Sequence, residues 1–297
     1  MNAKGSYSTP ASFRRALTDR LTTKAKEGRW SLAQLERQFA YDRLLQRIYQ
    51  LDRNWIIKGA TALIAREIGV RGTIDIDVYR PKPLDVAEAE LRHCSSRDLG
   101  DWFRFEIGPH RVASDGARGI RLPVTAHVAT AVWVRFHVDL FGNELRITGE
   151  PDDVSPMADI HMAEIEQLGY RVYPLADHIA DKIVAIFQRY GDGQVPSTRF
   201  KDLVDLVAIV TTSVAIADAQ KVAIASETAR RGLELPNRFA VPDRFLWEPG
   251  YAAEARRSHL QNAKYLDEAI EIVRPFVDRL LDGSASGRWD PTSRKWR

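Results

Sequence analysis

NWIIKGATALIAREIGVRGTIDIDVYR, from Asn54 to Arg80, decides the fold. It predicts a short strand over Trp55–Ile57 and a small-residue turn at Lys58, Gly59 and Ala60. A helix over Thr61–Ile68, a basic turn at Arg71 and Gly72, and a second strand over Ile74–Tyr79 follow. Side chains on a strand alternate faces, so Asp75 and Asp77 share one face while Ile74, Ile76 and Val78 point to a core. Neighbouring carboxylates repel unless a cation joins them, and hard oxygen ligands suit Mg²⁺. A turn at a helix N-terminus one element upstream is a natural phosphate cradle. The stretch therefore predicts a Mg²⁺–nucleotide site.

Outward from this stretch, composition narrows the classes. The 297 residues are 44% hydrophobic and 28% charged, ordinary for a globular chain with a real core. One cysteine, Cys94, excludes an internal disulfide or a multi-cysteine zinc site and fits a reducing cytoplasm. No apolar run is long enough to cross a bilayer. The net charge of +3 is unevenly spread: the first 50 residues hold ten Lys/Arg against four acids. Such a basic arm suits a polyanion such as RNA, or is an ordinary solvated helix surface.

Helices are expected over Ser12–Lys26 and Ser31–Leu51, the second opened by Ser31 and Gln34 at capping-box spacing. Beyond the opening stretch, Pro81 and Pro83 break the strand and Asp85–Cys94 reads as a helix. Trp102–Ile107 and Ala131–Leu140 alternate as strands. Ile120–Val128 carries Pro123, which predicts an edge or irregular strand. In Ala131–Leu140, Val132, Val134, Phe136 and Val138 face one way, and Trp133, Arg135, His137 and Asp139 the other. Mixed strands and helices predict an α/β (α+β) domain. From residue 155 the pattern turns helical: a short helix over Asp159–Leu168, then Pro174–Tyr190, Arg199–Val210 capped by Ser197 or Thr198, Asp218–Arg231, and Tyr251–Leu281 as two helices or one broken helix, which Pro275 would kink. The expected division is 1–155, with basic helices and a nucleotide domain, 156–283, helical, and 284–297, a basic tail.

Three further places could carry chemistry. Lys182 lies on the apolar side of its helix, between Ile179 and Ile186, and must reach an anion or a cavity, or snorkel along the helix edge. Arg199, Asp202 and Asp205 recur every three residues on the next helix. Arg199 could grip phosphate and Asp202 orient Lys182, or the two could simply pair with each other. Asp139 ends its strand on the polar face and could complete a metal cage or act as general base, or be a strand-end turn residue.

KGATAL (58–63), TIDIDV (73–78), PLADHIADKIVAI (174–186) and RFKDLVDL (199–206) occur in the order and approximate spacing of the AbiEii/AbiGii toxin family, which includes the MenT-type toxins. Across residues 50–210 the chain resembles these polymerase-β-like nucleotidyltransferases. The resemblance implies a nucleotidyltransferase mixed sheet with helices plus a helical C-terminal domain. It assigns Gly59 and Thr61, with Lys58, to the nucleotide phosphates, Asp75 and Asp77 to the metal, Lys182 to the nucleotide, and Arg199 and Asp202 to the last motif. Asp139 stands as third metal carboxylate and Arg71 as a further nucleotide contact. Ala60 departs from the family's second glycine.

What the resemblance implies is a Mg²⁺-dependent toxin moving a nucleotide from an NTP to RNA, foremost the tRNA 3′ end, inhibiting translation and growth. It also implies a cognate antitoxin partner; a cytoplasmic monomer with no membrane contact is expected. The alternatives are transfer to a small molecule or a protein hydroxyl, or an inactive RNA- or protein-binding relative. Thr73, two residues before Asp75, is a candidate regulatory phosphorylation site, where a near-dianion would oppose the metal-binding pair; full activity in Thr73→Glu would contradict that.

Overall fold

A computed structural model of the protein describes residues 7–112, 119–143, 147–162 and 165–297. The chain forms two compact units. The first comprises the described parts of Met1–Arg66, Gly72–Leu145 and Asp152–Val172; the second comprises those of Glu67–Arg71, Arg146–Pro151 and Tyr173–Arg297. The boundary expected at residue 155 is thus displaced: 152–172 stays with the first unit because its strands complete the sheet there.

In the first unit, α1 (Pro10–Glu27) and α2 (Leu32–Tyr49) each start on a reciprocal capping box, Thr9 with Ser12 and Ser31 with Gln34. Then come β1 (Ile56–Lys58), α3 (Gly59–Ala65), β2 (Asp75–Tyr79), α4 (Leu84–Ser95), β3 (Phe103–Ile107), β4 (Arg111–Val112), β5 (Gly119–Val128), β6 (Ala131–Phe141), β7 (Asp152–Val154) and β8 (Tyr170–Val172). The strands form one mixed sheet in the order β3-β5-β6-β2-β1-β8-β7, with β4 also on β5. β2 runs parallel to β6 and β1 parallel to β8.

Several sequence expectations change here. β5 is an interior strand despite Pro123. The Pro123 carbonyl accepts from the Gly108 amide at 2.8 Å, on the side where β3 gives way to β4. The missing proline N–H faces the same break, so no ladder bond is lost. In β6 the alternation fails at Trp133: Ala126 pairs with Val134 and His127 with Val132, leaving Trp133 as the extra residue of a bulge. Trp133 therefore turns inward, its indole N–H donating to the Glu36 carbonyl at 3.0 Å, while Val132 is exposed. Ile74 lies before β2 and is exposed, whereas Ile76 and Val78 are buried as expected.

Part of the basic arm is internal. Arg47 is fully buried and forks onto Asp101 at 2.9 and 2.7 Å, and Arg43 is buried beside it. Arg15, Arg20, Lys26 and Arg29 remain exposed. The helix expected over 159–168 is absent among its described residues. That segment is tied to α2: Gln167 donates to Asp42 at 3.0 Å, and Arg43 donates to the Glu166 carbonyl at 2.6 Å.

Asp42 is buried, and burial pushes its carboxyl up to about 7 despite the neighbouring Arg43. A folded-state value above the unfolded one favours folding at low pH, an advantage lost progressively as pH rises from the unfolded value near 4 to about 7. Ionising this buried group then costs about 4 kcal/mol. The melting temperature should fall between pH 5 and 8.5 in the wild type and change much less in Asp42→Asn, measured by calorimetry.

The second unit contains α5 (Leu175–Phe187), the short pair β9 (Arg189–Tyr190) and β10 (Val195–Pro196), α6 (Phe200–Thr212), β11 (Ala215–Ile216), α7 (Ala217–Arg231), α8 (Arg244–Arg257), α9 (Leu266–Leu281), β12 (Arg288–Asp290) and β13 (Lys295–Trp296). α5 packs on α6 and α7, and α6 on α8 and α9. Arg199, not Ser197 or Thr198, caps α6; Ser197 is buried and its hydroxyl donates to the Ile186 carbonyl at 2.7 Å. The two helices expected over 251–281 are α8 and α9, and α9 runs on through Pro275.

Residues 284–297 are not a loose tail. They supply the hairpin β12–β13, which extends β11. Trp289 is fully buried and donates to the Val210 carbonyl at 2.8 Å, and Trp296 stacks on Phe276 at 4.9 Å between ring centroids. Two indoles repay ordering a polar segment by burying apolar surface. Among the described residues no helix is long and apolar enough to cross a membrane.

Candidate active site

Cross-strand register assembles the site. β1 sets Lys58 opposite Asp77; β6 sets His137 beside Asp75 and Asp139 beside Asp77; β5 sets Arg121 opposite Asp139. Paired residues share a face of the sheet. Lys58, Asp75, Asp77, Arg121, His137 and Asp139 therefore stand on one face, opposite the side that buries Ile76 and Val78.

The local sequence fixes Asp75 and Asp77 in three ways. Thr61 is fully buried in α3 and its hydroxyl donates to the Asp75 carbonyl at 3.1 Å. The Thr73 hydroxyl donates to that carbonyl and accepts from the Asp75 amide, both at 3.1 Å. Both threonine hydroxyls thus hold the strand that carries the carboxylates. Gly59 has φ +60, and a Cβ there would lie 1.9 Å from Asp77 Oδ2. Only glycine gives both the left-handed turn and the room for Asp77. Ala60 lies in α3 and is not among the positive-φ residues, so the missing second glycine costs no turn geometry. Gly59→Ala should displace the Asp77 carboxylate and lower activity by at least tenfold with the fold retained, measured by steady-state kinetics and circular dichroism.

Charge on this face is partly compensated from within. Arg121 donates from Nε to Asp139 Oδ1 at 2.7 Å and from Nη2 to Asp139 Oδ2 at 2.6 Å. Its Nη2 also lies 3.5 Å from Asp75 Oδ2. These hydrogen bonds to Asp139 raise the guanidinium pKa above its ordinary value. Lys58 is buried, with Nζ 5.3 Å from the centre of the Phe141 ring. His137 Nδ1 is 3.3 Å from Asp75 Oδ1, and that buried oxygen has no hydrogen-bond partner among the described residues.

The orphaned oxygen tests the fit of a cation. A buried carboxylate oxygen lacking a donor is costly, and a hard divalent ion satisfies it. Asp75 and Asp77 therefore fit such an ion as a pair. Asp139 differs from them: both its oxygens accept from Arg121, and among the described residues no three His, Cys, Asp or Glu side chains form a ready metal cage. Arg121 escapes sequence reading because only β-register places it against Asp139.

The charged residues expected on the later helices form a cluster inside the second unit. Lys182 is buried and donates from Nζ to Asp202 at 2.8 Å and to Asp205 at 2.7 Å. Arg71 forks onto Asp205 at 3.0 and 2.8 Å. Arg199 Nε lies 3.8 Å from Asp202. Burial opposes the charge on Lys182, but Asp202 and Asp205 outweigh it and raise its pKa. Burial likewise opposes the charge on Asp205, yet Arg71 and Lys182 hold it down to about 2. Asp205, which sequence spacing left beside Arg199 and Asp202 without a role, is the centre of this cluster.

Comparison with known proteins follows the same lines. Among solved structures, the fold is similar to MenT4, the nucleotidyltransferase toxin Rv2826c of Mycobacterium tuberculosis, at 17% identity and TM-score 0.56 over 92% of this chain and 89% of that one. JHP933 of Helicobacter pylori also matches, at 14% identity and TM-score 0.46 over 83% and 92%. No curated protein matches the sequence significantly. The profile of the nucleotidyl transferase AbiEii toxins of type IV toxin–antitoxin systems matches residues 43–282. With most of its length covered by that profile and its fold shared with a nucleotidyltransferase toxin, the chain belongs to the AbiEii nucleotidyl transferase toxin family.

Proposed function

We propose that the protein transfers a nucleotide from an NTP to an RNA hydroxyl, with Mg²⁺ held by Asp75 and Asp77. The carrying observation is that these carboxylates share one sheet face and that a buried oxygen of Asp75, 3.3 Å from His137 Nδ1, accepts no hydrogen bond among the described residues. When bound, Mg²⁺ supplies charge neutralisation to the triphosphate. Lys58, on the same face, adds a fixed positive charge there, and Thr61 and Thr73 keep the metal-binding strand in place. Asp139 anchors Arg121 rather than serving as a third ligand. Lys182 is the second unit's proposed nucleotide contact, kept protonated by Asp202 and Asp205, with Arg199 as a phosphate-binding side chain. Arg71 is engaged by Asp205 and contributes through that pairing.

The proposed acceptor is tRNA at its 3′ end, supported by family membership and by the exposed cations Arg15, Arg20, Lys26 and Arg29. Loss of usable tRNA would arrest translation in the cytoplasm, where a cognate antitoxin restrains a monomeric toxin. Incubation with each labelled NTP, Mg²⁺ and total tRNA tests this, with Asp77→Ala as control. Label on RNA from the wild type alone is expected. Label on a small molecule or on protein would replace the acceptor, and no label anywhere would overturn the reading.

A further inference from the structure

We propose that Arg121 takes the place of a second divalent cation, so that the chain binds one metal ion, on Asp75 and Asp77, and keeps Asp139 out of the coordination shell. The proposal rests on the metal reading above and adds which carboxylates are barred from the metal, and by what.

Three carboxylates on one face, Asp75, Asp77 and Asp139, would ordinarily call for more than one cation. Here a cation is already built into the sheet. β5 and β6 are antiparallel neighbours with Arg121 directly opposite Asp139, so the guanidinium needs no long reach. It uses two nitrogens on two oxygens, at 2.7 and 2.6 Å. Such bidentate, charge-assisted pairs are the strong kind. Arginine cannot release this charge by deprotonation at any ordinary pH.

Asp139 is 7% exposed, which leaves an incoming ion little access that the guanidinium does not already occupy. The second nitrogen of the fork also stands 3.5 Å from Asp75 Oδ2, so an ion shared by Asp75 and Asp139 would meet a fixed positive charge. The other Asp75 oxygen, Oδ1, is buried 3.3 Å from His137 Nδ1 and accepts no hydrogen bond among the described residues. The two ends of the carboxylate row thus differ: both oxygens of Asp139 accept short hydrogen bonds from Arg121, whereas Asp75 has only the 3.5 Å contact to Arg121 on Oδ2 and no hydrogen bond on Oδ1 among the described residues. That asymmetry selects one metal position and leaves Asp139 unable to act as ligand or base while Arg121 holds it.

The test counts metal directly, using the full chain and Mn²⁺ alone, by electron paramagnetic resonance of free Mn²⁺ and by calorimetry. The wild type should bind one Mn²⁺, lost in Asp77→Asn. Arg121→Gln should bind Mn²⁺ at least tenfold more tightly or gain a second ion, and Arg121→Gln with Asp139→Asn should return to wild-type binding. Arg121→Lys, which keeps the charge, should retain a count of one, so a folding defect in the glutamine variant would not leave the matter open. Two Mn²⁺ in the wild type would overturn the proposal. Binding that is lost in Asp77→Asn but unaltered by Arg121→Gln would overturn it while the metal reading stands. No Mn²⁺ on any of these proteins would overturn both.

Discussion

Asp77→Asn is expected to lower the rate of nucleotide transfer by about 10²–10³-fold, the range seen when one electrostatic stabiliser of a transition state is removed. The substitution is nearly isosteric, so Gly59 still accommodates it. Stability should not fall, because one of three negative charges on a common face is withdrawn. Single-turnover kinetics with labelled NTP, read beside the melting temperature, separate the two effects. A variant that lost activity and melted much earlier would make Asp77 a structural residue.

Lys182→Met should act through stability first. The substitution leaves Asp202 and Asp205 without the ammonium they share, and breaking a buried pair by deleting one partner costs about 3–5 kcal/mol. A fall in melting temperature of roughly ten degrees is expected. The pH dependence has a definite sign. Asp205 is depressed to about 2, so its contribution is present above the unfolded value near 4 and lost as pH falls through 2. The pKa of Lys182 is raised, so its contribution persists until pH climbs past that raised value. Between pH 5 and 9 the cost of Lys182→Met should therefore be nearly constant, which denaturant titration at several pH values checks. A cost under 1 kcal/mol would show that Lys182 is not what holds these carboxylates.

The parts of the fold written in local pattern were legible in the chain. Alternation put Asp75 and Asp77 on one face; the capping box at Ser31 opened α2 where expected; the apolar stripe around Lys182 turned that lysine inward. What was not legible depends on partners distant in sequence. Arg121 gains meaning only from its register with Asp139, and the reading of Pro123 as an edge signal concealed that β5 is interior. The bulge at Trp133 reverses the side-chain phase of β6, a change no periodicity can announce. Arg43 and Arg47 counted as surface charge until Asp101 was placed beside them. Trp289 and Trp296 looked like part of a tail because the surface they cover comes from α6 and α9.

The central claim is that Asp75 and Asp77 hold a catalytic metal. Crystals of the wild-type chain soaked with Mn²⁺ and a non-hydrolysable NTP analogue test it most directly through anomalous scattering. The account predicts one peak within coordination distance of both Asp75 and Asp77, absent in Asp77→Asn. Bound nucleotide with no peak at these two carboxylates, or with the metal elsewhere on the chain, would contradict it.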